Sequence, residues 1–268
     1  MVASLIVSVY NQARNLELIL DTVRKQTISD FEVVVADDGS SDNTIDVVEQ
    51  FRNTCDYIPI RFVTQEDLGF RKTVILNKAI KASSCDYLVF IDGDMLLNKY
   101  FMQYHLFYRN ESVVLCGHRG VKLCEGYTGK IMNGEVSFND NILNLIWQKM
   151  KGNIENPLRG IVIRSQFLRK YAINWRSNLS GCNFSLYRSA IESVNGFDEN
   201  ILEHGYNDFE LGCRLKNSGF KLIDVSKLCN TYHLYHKTRK TKSEHVLSKI
   251  HEVSKSGKTR CDNGLEKI

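Results

Sequence analysis

The ten residues DYLVFIDGDM, from Asp86 to Met95, constrain this chain more than any other stretch. Residues 87–91 form an apolar, β-branched run of strand length, too short for a helix, and such a run reads as a strand buried on both faces. The run ends at Asp92-Gly93-Asp94. Two carboxylates flanking a glycine cannot stay unpaired in an apolar core, so they must emerge where the strand ends. In an open parallel α/β sheet, ligands bind at the carboxyl ends of the strands. Gly93 removes side-chain bulk and lets a turn bring both acids towards one point. Hard oxygen donors beside room for phosphates suit Mg²⁺ or Mn²⁺ holding a diphosphate. The alternative is a solvated turn that happens to carry two acids.

The residues before this strand repeat the same pattern. Apolar runs at 4–10, 31–36 and 58–64 read as strands. Helical spacing of apolar residues predicts helices over 13–25, from about Ser41 as N-cap with Ile45, Val48 and Phe51 apolar, and over 71–82. Strand and helix alternate four times, which predicts a βαβ series with a mostly parallel sheet and helices on both faces. Three strands then end at one edge, in Tyr10-Asn11, Asp37-Asp38 and Asp92/Asp94. A nucleotide crevice needs acceptors for a base N–H and ribose hydroxyls, and an aromatic face; Asp37 or Asp38 and Tyr10 supply these types. Neither G-x-G-x-x-G after the first strand nor G-x-x-x-x-G-K-[ST] is present, so the phosphates must be held by metal and basic side chains. Arg71 and Lys72 are candidates; the competing reading is a solvated helix start.

The second half is less regular. Residues 141–151 read as a helix with Ile142, Leu145, Ile146 and Met150 on its apolar face. Residues 156–180 form a long basic connection of the kind that closes over substrate. A strand follows at 181–186, and Asn207 is positioned to cap a helix running to residue 217. Asp208 then lies in the first turn, where the helix dipole favours a carboxylate suited to a general base. Glu210 and Arg214, at i and i+4, read as a structural ion pair. His233 and His236, flanked by tyrosines, keep metal ligation open. Residues 237–260 carry eight Lys or Arg and two Glu, with Val246, Ile250 and Val253 on one helical face. They read either as a solvated terminal helix or as an adhesive surface for anionic membrane.

A net charge of +4 does not argue for nucleic acid, and eight cysteines without C-x-x-C spacing argue against a zinc knuckle or redox motif. With neither a signal-peptide pattern nor an apolar run near the ~20 residues that span a bilayer, the expectation is a reduced, cytoplasmic protein, at most touching the inner membrane face.

These stretches resemble a family 2 glycosyltransferase with the GT-A fold. SLIVSVYNQ (4–12), VVVADDGSSD (33–42), GFRKTVILNKAI (69–80), YLVFIDGDM (87–95), GCNFSLYR (181–188) and GFDENILEHGYNDFELGCRL (196–215) carry the likeness in the family's order. The second half is similar to the galactosyltransferase-type region of β-4-galactosyltransferases and bacterial chondroitin polymerases. The resemblance implies a nucleotide-sugar half (1–117), an acceptor half (118–236) and a basic tail (237–268). It implies inverting, metal-dependent transfer of a hexose or N-acetylhexosamine from a UDP-sugar to a glycan or lipid-linked glycan in surface polysaccharide or lipopolysaccharide biosynthesis. Carried over residue by residue, Ser8, Tyr10, Asn11, Asp37, Asp38, Arg71, Asn77, Asp92, Gly93, Gly181 and Asn183 meet the donor. Asp92, Asp94 and His233 hold Mn²⁺ or Mg²⁺, and Asp208 is the base. Related sequences usually read Glu-Asp where this one reads Asn207-Asp208, which bears on the acceptor and not on the chemistry. The rival readings are a nucleotidyltransferase and a non-catalytic UDP-sugar-binding subunit.

Overall fold

The computed structural model describes all residues except 118, 161, 164–172, 176–177, 203–204, 238–251 and 268. The first half follows the alternating pattern: β1 (Ala3–Val9), α1 (Ala13–Arg24), β2 (Phe31–Asp37), α2 (Thr44–Thr54), β3 (Ile60–Thr64), α3 (Lys72–Ala82) and β4 (Tyr87–Asp92). β3, β2, β1 and β4 lie side by side and parallel. Side chains of a strand alternate between faces, and the core divides accordingly. Leu5, Val7, Val33, Val35, Val89 and Ile91 face one layer, with Leu16, Ile19, Leu20 and Val23 of α1 and Val48 and Phe51 of α2. Ile6, Val34, Leu88 and Phe90 face the other, with Ile75, Leu76, Ala79 and Ile80 of α3. Each fully buried Leu, Ile, Val or Phe contributes about 1.5–3 kcal/mol.

The second half consists of β5 (Met95–Leu97), α4 (Phe101–Phe107), β6 (Val113–Cys116), β7 (Val121–Leu123), α5 (Glu125–Met132), α6 (Ile142–Met150), β8 (Ile154–Glu155), β9 (Asn174–Trp175), β10 (Asn183–Tyr187), α7 (Arg188–Ser193), α8 (Asn207–Asn217), β11 (Lys221–Asp224) and β12 (Thr231–His233). The large sheet runs β3-β2-β1-β4-β10-β6-β11-β9. β10 is antiparallel to both β4 and β6, so the parallel order holds for the first four strands and the sheet is mixed beyond them. A second sheet runs β5-β12-β7-β8.

Two registers position the site. Asn183 pairs with Ile91 in antiparallel sense, so the loop before β10 meets the carboxyl end of β4. His233 pairs with Met95, which brings β12 alongside the residue after Asp94. Gly93 packs where a β-carbon would lie 2.8 Å from the Ser8 carbonyl oxygen, so the acidic turn can close onto the end of β1 only with glycine there.

Several local expectations are corrected. Ser41 does not cap α2; the Asp42 carboxylate accepts the Thr44 N–H at 3.2 Å, because the helix starts three residues later. Asn207 is the first residue of α8 and not its cap; Tyr206 stands at the cap position and makes no side-chain cap bond. The 141–151 helix forms, but of its expected apolar face only Leu145 is buried. The expected Glu210–Arg214 pair is present and buried, with Arg214 Nε 2.6 Å from Glu210 Oε1. All eight cysteines are free. Of the expected lid, residues 161, 164–172 and 176–177 lie outside the described residues, as do residues 238–251 of the basic tail.

Candidate active site

Asp92, the last residue of β4, and Asp94, two residues on, have different partners. Asp94 Oδ2 lies 3.2 Å from Nε2 of His233 and 3.2 Å from Nε2 of His236. Burial opposes ionisation of Asp94, but the hydrogen bonds from the two histidines outweigh it and hold the carboxyl well below its ordinary range. In return, the Asp94 hydrogen bond raises His236 above the usual histidine value against a smaller opposing effect of burial. Asp94 Oδ1 is buried and has no hydrogen-bond partner. A buried carboxylate oxygen left unpartnered costs free energy, and here it sits in a cluster of three groups whose ligand atoms lie within 4.8 Å of one another. One carboxylate and two imidazoles fit a divalent first-row ion such as Mn²⁺ better than Mg²⁺, which prefers oxygen donors.

Asp92 is not part of that cluster. Its Oδ1 accepts the Ser8 hydroxyl at 3.3 Å and pairs with the Lys72 ammonium. Burial disfavours the Lys72 charge, but Asp92, followed by Asp208 and Asp94, holds it protonated above the ordinary lysine value. Ser8, Lys72, Gly181 and Asn207 line one small cavity. The Asp208 Oδ2 accepts the Gly181 N–H at 2.8 Å. A β-carbon at Gly181 would lie 3.0 Å from the Asp208 β-carbon, so this close approach favours glycine.

The residues expected to meet the nucleotide are committed to protein partners in different ways. Asp37 accepts from the Ser40 N–H at 3.1 Å and the Thr64 hydroxyl at 2.7 Å, and so fixes the turn after β2. Asp38 accepts from Gln65 and from the Arg71 N–H at 3.0 Å, and burial raises its pKa. Gln65 Oε1, beside it, is buried without a partner. Tyr10 is 40% exposed, and its hydroxyl donates to Asp67 Oδ2 at 2.9 Å. Asn11, with φ of 52°, accepts the Ser41 N–H at 2.8 Å and ties the ends of β1 and β2 together.

Two expected donor contacts are not available to a ligand. The Asn77 side chain is 1% exposed; it accepts the Phe197 N–H at 2.9 Å and donates to the Phe197 carbonyl at 2.8 Å, fastening α3 to the turn that begins at Gly196. Asn183 is fully buried, bonded to His105 Nε2 at 3.1 Å and to the Cys229 carbonyl at 2.9 Å. Both amides are satisfied by protein. Burial pushes His105 down to about 3, so it serves as a neutral bridge from Asn183 to Ser185.

The family resemblance implies His233 alone for the metal; His236, three residues on, is an equal neighbour of Asp94. Gln65, Asp67 and His105 were missed. The first two stand in a polar run with no periodicity to mark them, and nothing in the sequence distinguishes His105 from a core histidine.

The profile of glycosyl transferase family 2 matches residues 4–177, and the chain belongs to that family. A second profile, described as the N-terminal domain of galactosyltransferase, matches residues 164–237. The validoxylamine A glucosyltransferase of Streptomyces hygroscopicus subsp. jinggangensis (strain 5008) is 30% identical over 242 residues, covering 82% of this chain and 52% of that protein. The chondroitin synthase of Escherichia coli is 27% identical, covering 81% of this chain and 32% of that protein. The chain thus spans about half or less of the length of these relatives. Among solved structures, S. aureus TarS 1–349 in complex with UDP-GlcNAc superposes with a TM-score of 0.64 at 17% identity, over 99% of this chain and 68% of that one. Mannosyltransferase PcManGT from Pyrobaculum calidifontis, in complex with GDP-Man and Mn²⁺, gives 0.58 at 18% identity, over 95% and 69%. The fold is GT-A. No helix among the described residues is long and apolar enough to cross a membrane.

Proposed function

We propose that this chain is an inverting, metal-dependent glycosyltransferase that moves a hexose or N-acetylhexosamine from a UDP-sugar to a hydroxyl of a glycan or lipid-linked glycan, in surface polysaccharide or lipopolysaccharide biosynthesis. The observation that carries the reading is that two carboxylates near Lys72 have different partners. Asp94 faces two imidazoles and keeps one oxygen unpartnered, while Asp208 is held by the Gly181 N–H.

In this reading Asp94, His233 and His236 hold the divalent ion, which supplies positive charge to the departing diphosphate. Tyr10 and Asp38, with Gln65 beside it, receive the uridine. Lys72, freed from Asp92 by the donor, adds a second positive charge beside the diphosphate, and Arg71 stands at the same helix start. Asp208 accepts the proton of the acceptor hydroxyl as that oxygen attacks C1. One C–O bond forms to the acceptor and one breaks to the diphosphate, in a single displacement that inverts C1. The resemblance of the fold to structures described with UDP-GlcNAc and with GDP-Man and Mn²⁺ supports a nucleotide-sugar donor and a metal.

The test is donor turnover. Each of a panel of UDP-sugars is incubated with the protein and Mn²⁺, and the released sugar is followed by proton NMR. Inversion predicts that an α-linked donor gives the β anomer first. The α anomer first would contradict inversion, and sugar 1-phosphate in place of UDP would point to a nucleotidyltransferase.

A further inference from the structure

We propose that the outer face of α6 is a docking surface for an anionic phospholipid bilayer. α6 packs on β8 and on the 3-10 helix Pro157–Gly160. It is held there by Leu145, which is buried against Gly160 beside the Tyr232 ring. At 3.6 residues per turn, Leu143, Ile146, Trp147 and Met150 form one stripe on the side opposite Leu145. They are 74%, 45%, 51% and 75% exposed, and Leu158 on the adjoining 3-10 helix is 74% exposed. Four large apolar side chains on successive turns of one short helix, all facing solvent, form a contiguous patch, and such patches mark interaction sites.

The charges decide the occupant. Lys149 and Lys151 project on either side of the stripe at the same helical spacing, and Lys151 lies over the Trp147 ring at 4.6 Å. Arg159 follows Leu158 and is also exposed; Glu155 is the exposed acid between them. An apolar stripe with Trp at its centre and flanking lysines is the pattern of a helix that lies in the plane of a membrane interface. There the lysine stems extend along the apolar zone while their ammonium groups reach the headgroups. A second copy of this chain would bring Lys149, Lys151 and Arg159 against the same cations of its mate, whereas an anionic lipid surface complements them. The helix is built into the fold through Leu145 and the layer carrying Tyr232 and His233, so docking fixes the orientation of the candidate site relative to the bilayer. The inference does not rest on the transferase reading, because vesicle binding is measured without donor.

The experiment is sedimentation of the full chain with vesicles of phosphatidylcholine alone and of phosphatidylcholine mixed with phosphatidylglycerol. The wild-type protein is expected to partition onto the mixed vesicles at least about tenfold more than onto the neutral ones. A Trp147→Ser, Met150→Ser double variant is expected to lose that binding at least about tenfold while melting at the wild-type temperature or above, since both residues are exposed. Lys149→Gln with Lys151→Gln is expected to remove the preference for anionic lipid. Absence of wild-type binding to either vesicle would overturn the proposal, as would undiminished binding by the double variant, which would locate the contact elsewhere. Dimerisation in light scattering that the double variant abolishes, without vesicle binding, would assign the face to a second copy and equally overturn it.

Discussion

Asp94 Oδ2 lies 3.2 Å from His236 Nε2, three residues beyond the end of the strand that carries His233. That contact gives the acidic turn two imidazoles, and it sets the first prediction. His236→Ala should weaken Mn²⁺ binding at least about tenfold, since loss even of groups that only orient metal ligands costs 10–100-fold. Mn²⁺ titration followed by electron paramagnetic resonance reads this directly; unchanged affinity would exclude His236 from the site.

Metal binding should also depend on pH in a stated direction. His236 must be neutral to ligate a metal, and in the metal-free protein Asp94 raises its pKa above the ordinary value. A proton must therefore leave as the metal enters. Apparent Mn²⁺ affinity should rise with pH until His236 has titrated, and fall as pH drops below that point. An affinity flat between about pH 6 and 8 would contradict the assignment.

Asp208→Asn should retain UDP binding and lose turnover by about 10²–10⁴-fold, the usual contribution of a general base. The amide can keep the Gly181 N–H contact, so the fold should tolerate the change. Near-normal transfer by this variant would remove Asp208 from the base role.

Asn77→Ala separates a structural from a ligand-contacting asparagine. The buried Phe197 N–H loses its acceptor, and an unsatisfied buried donor costs about 1–3 kcal/mol. Chemical denaturation should show that loss while UDP affinity in the surviving folded protein stays unchanged. A stable variant with weakened UDP binding would return Asn77 to the donor site.

Glu32 should make the fold acid-sensitive. The carboxylate is buried, a cost that opposes its ionisation, but the Ser84 N–H, the Ser4 hydroxyl and Arg61 together bond the ionised form and lower its pKa. Its folded-state pKa thus lies below the unfolded value, so its stabilisation is present above the unfolded pKa and is lost as pH falls through the folded one. Glu32→Ala should cost about 1–3 kcal/mol at neutral pH, by stranding the Ser84 N–H, and should flatten the acid limb of the stability profile. An unaltered acid limb would place the dependence elsewhere.

The first half was legible because its signals are local. Each strand from β1 to β4 is rich in apolar residues close together in sequence, and the α1 stripe Leu16, Ile19, Leu20 and Val23 is buried throughout. The second half depends on pairings between short strands far apart in sequence, such as His233 with Met95, and no local pattern encodes them. Helical periodicity identified α6 but could not tell which face meets the protein; Leu145 does, and the stripe through Leu143 and Met150 does not. Asn77 and Asn183 illustrate a different limit. An asparagine offers the same donor and acceptor to a sugar as to a neighbouring backbone, and only the fold reveals that these two are already satisfied.

The most direct test of the proposed metal-supported donor site is calorimetric titration with UDP, comparing the wild-type protein in Mn²⁺ and in EDTA with Asp94→Asn in Mn²⁺. UDP should bind the wild-type protein in Mn²⁺ and weaken at least about tenfold both in EDTA and in the variant, because the diphosphate then loses its counter-charge. Equal UDP affinity in all three samples would contradict the assignment of Asp94, His233 and His236 as the metal-holding side of a nucleotide-sugar site.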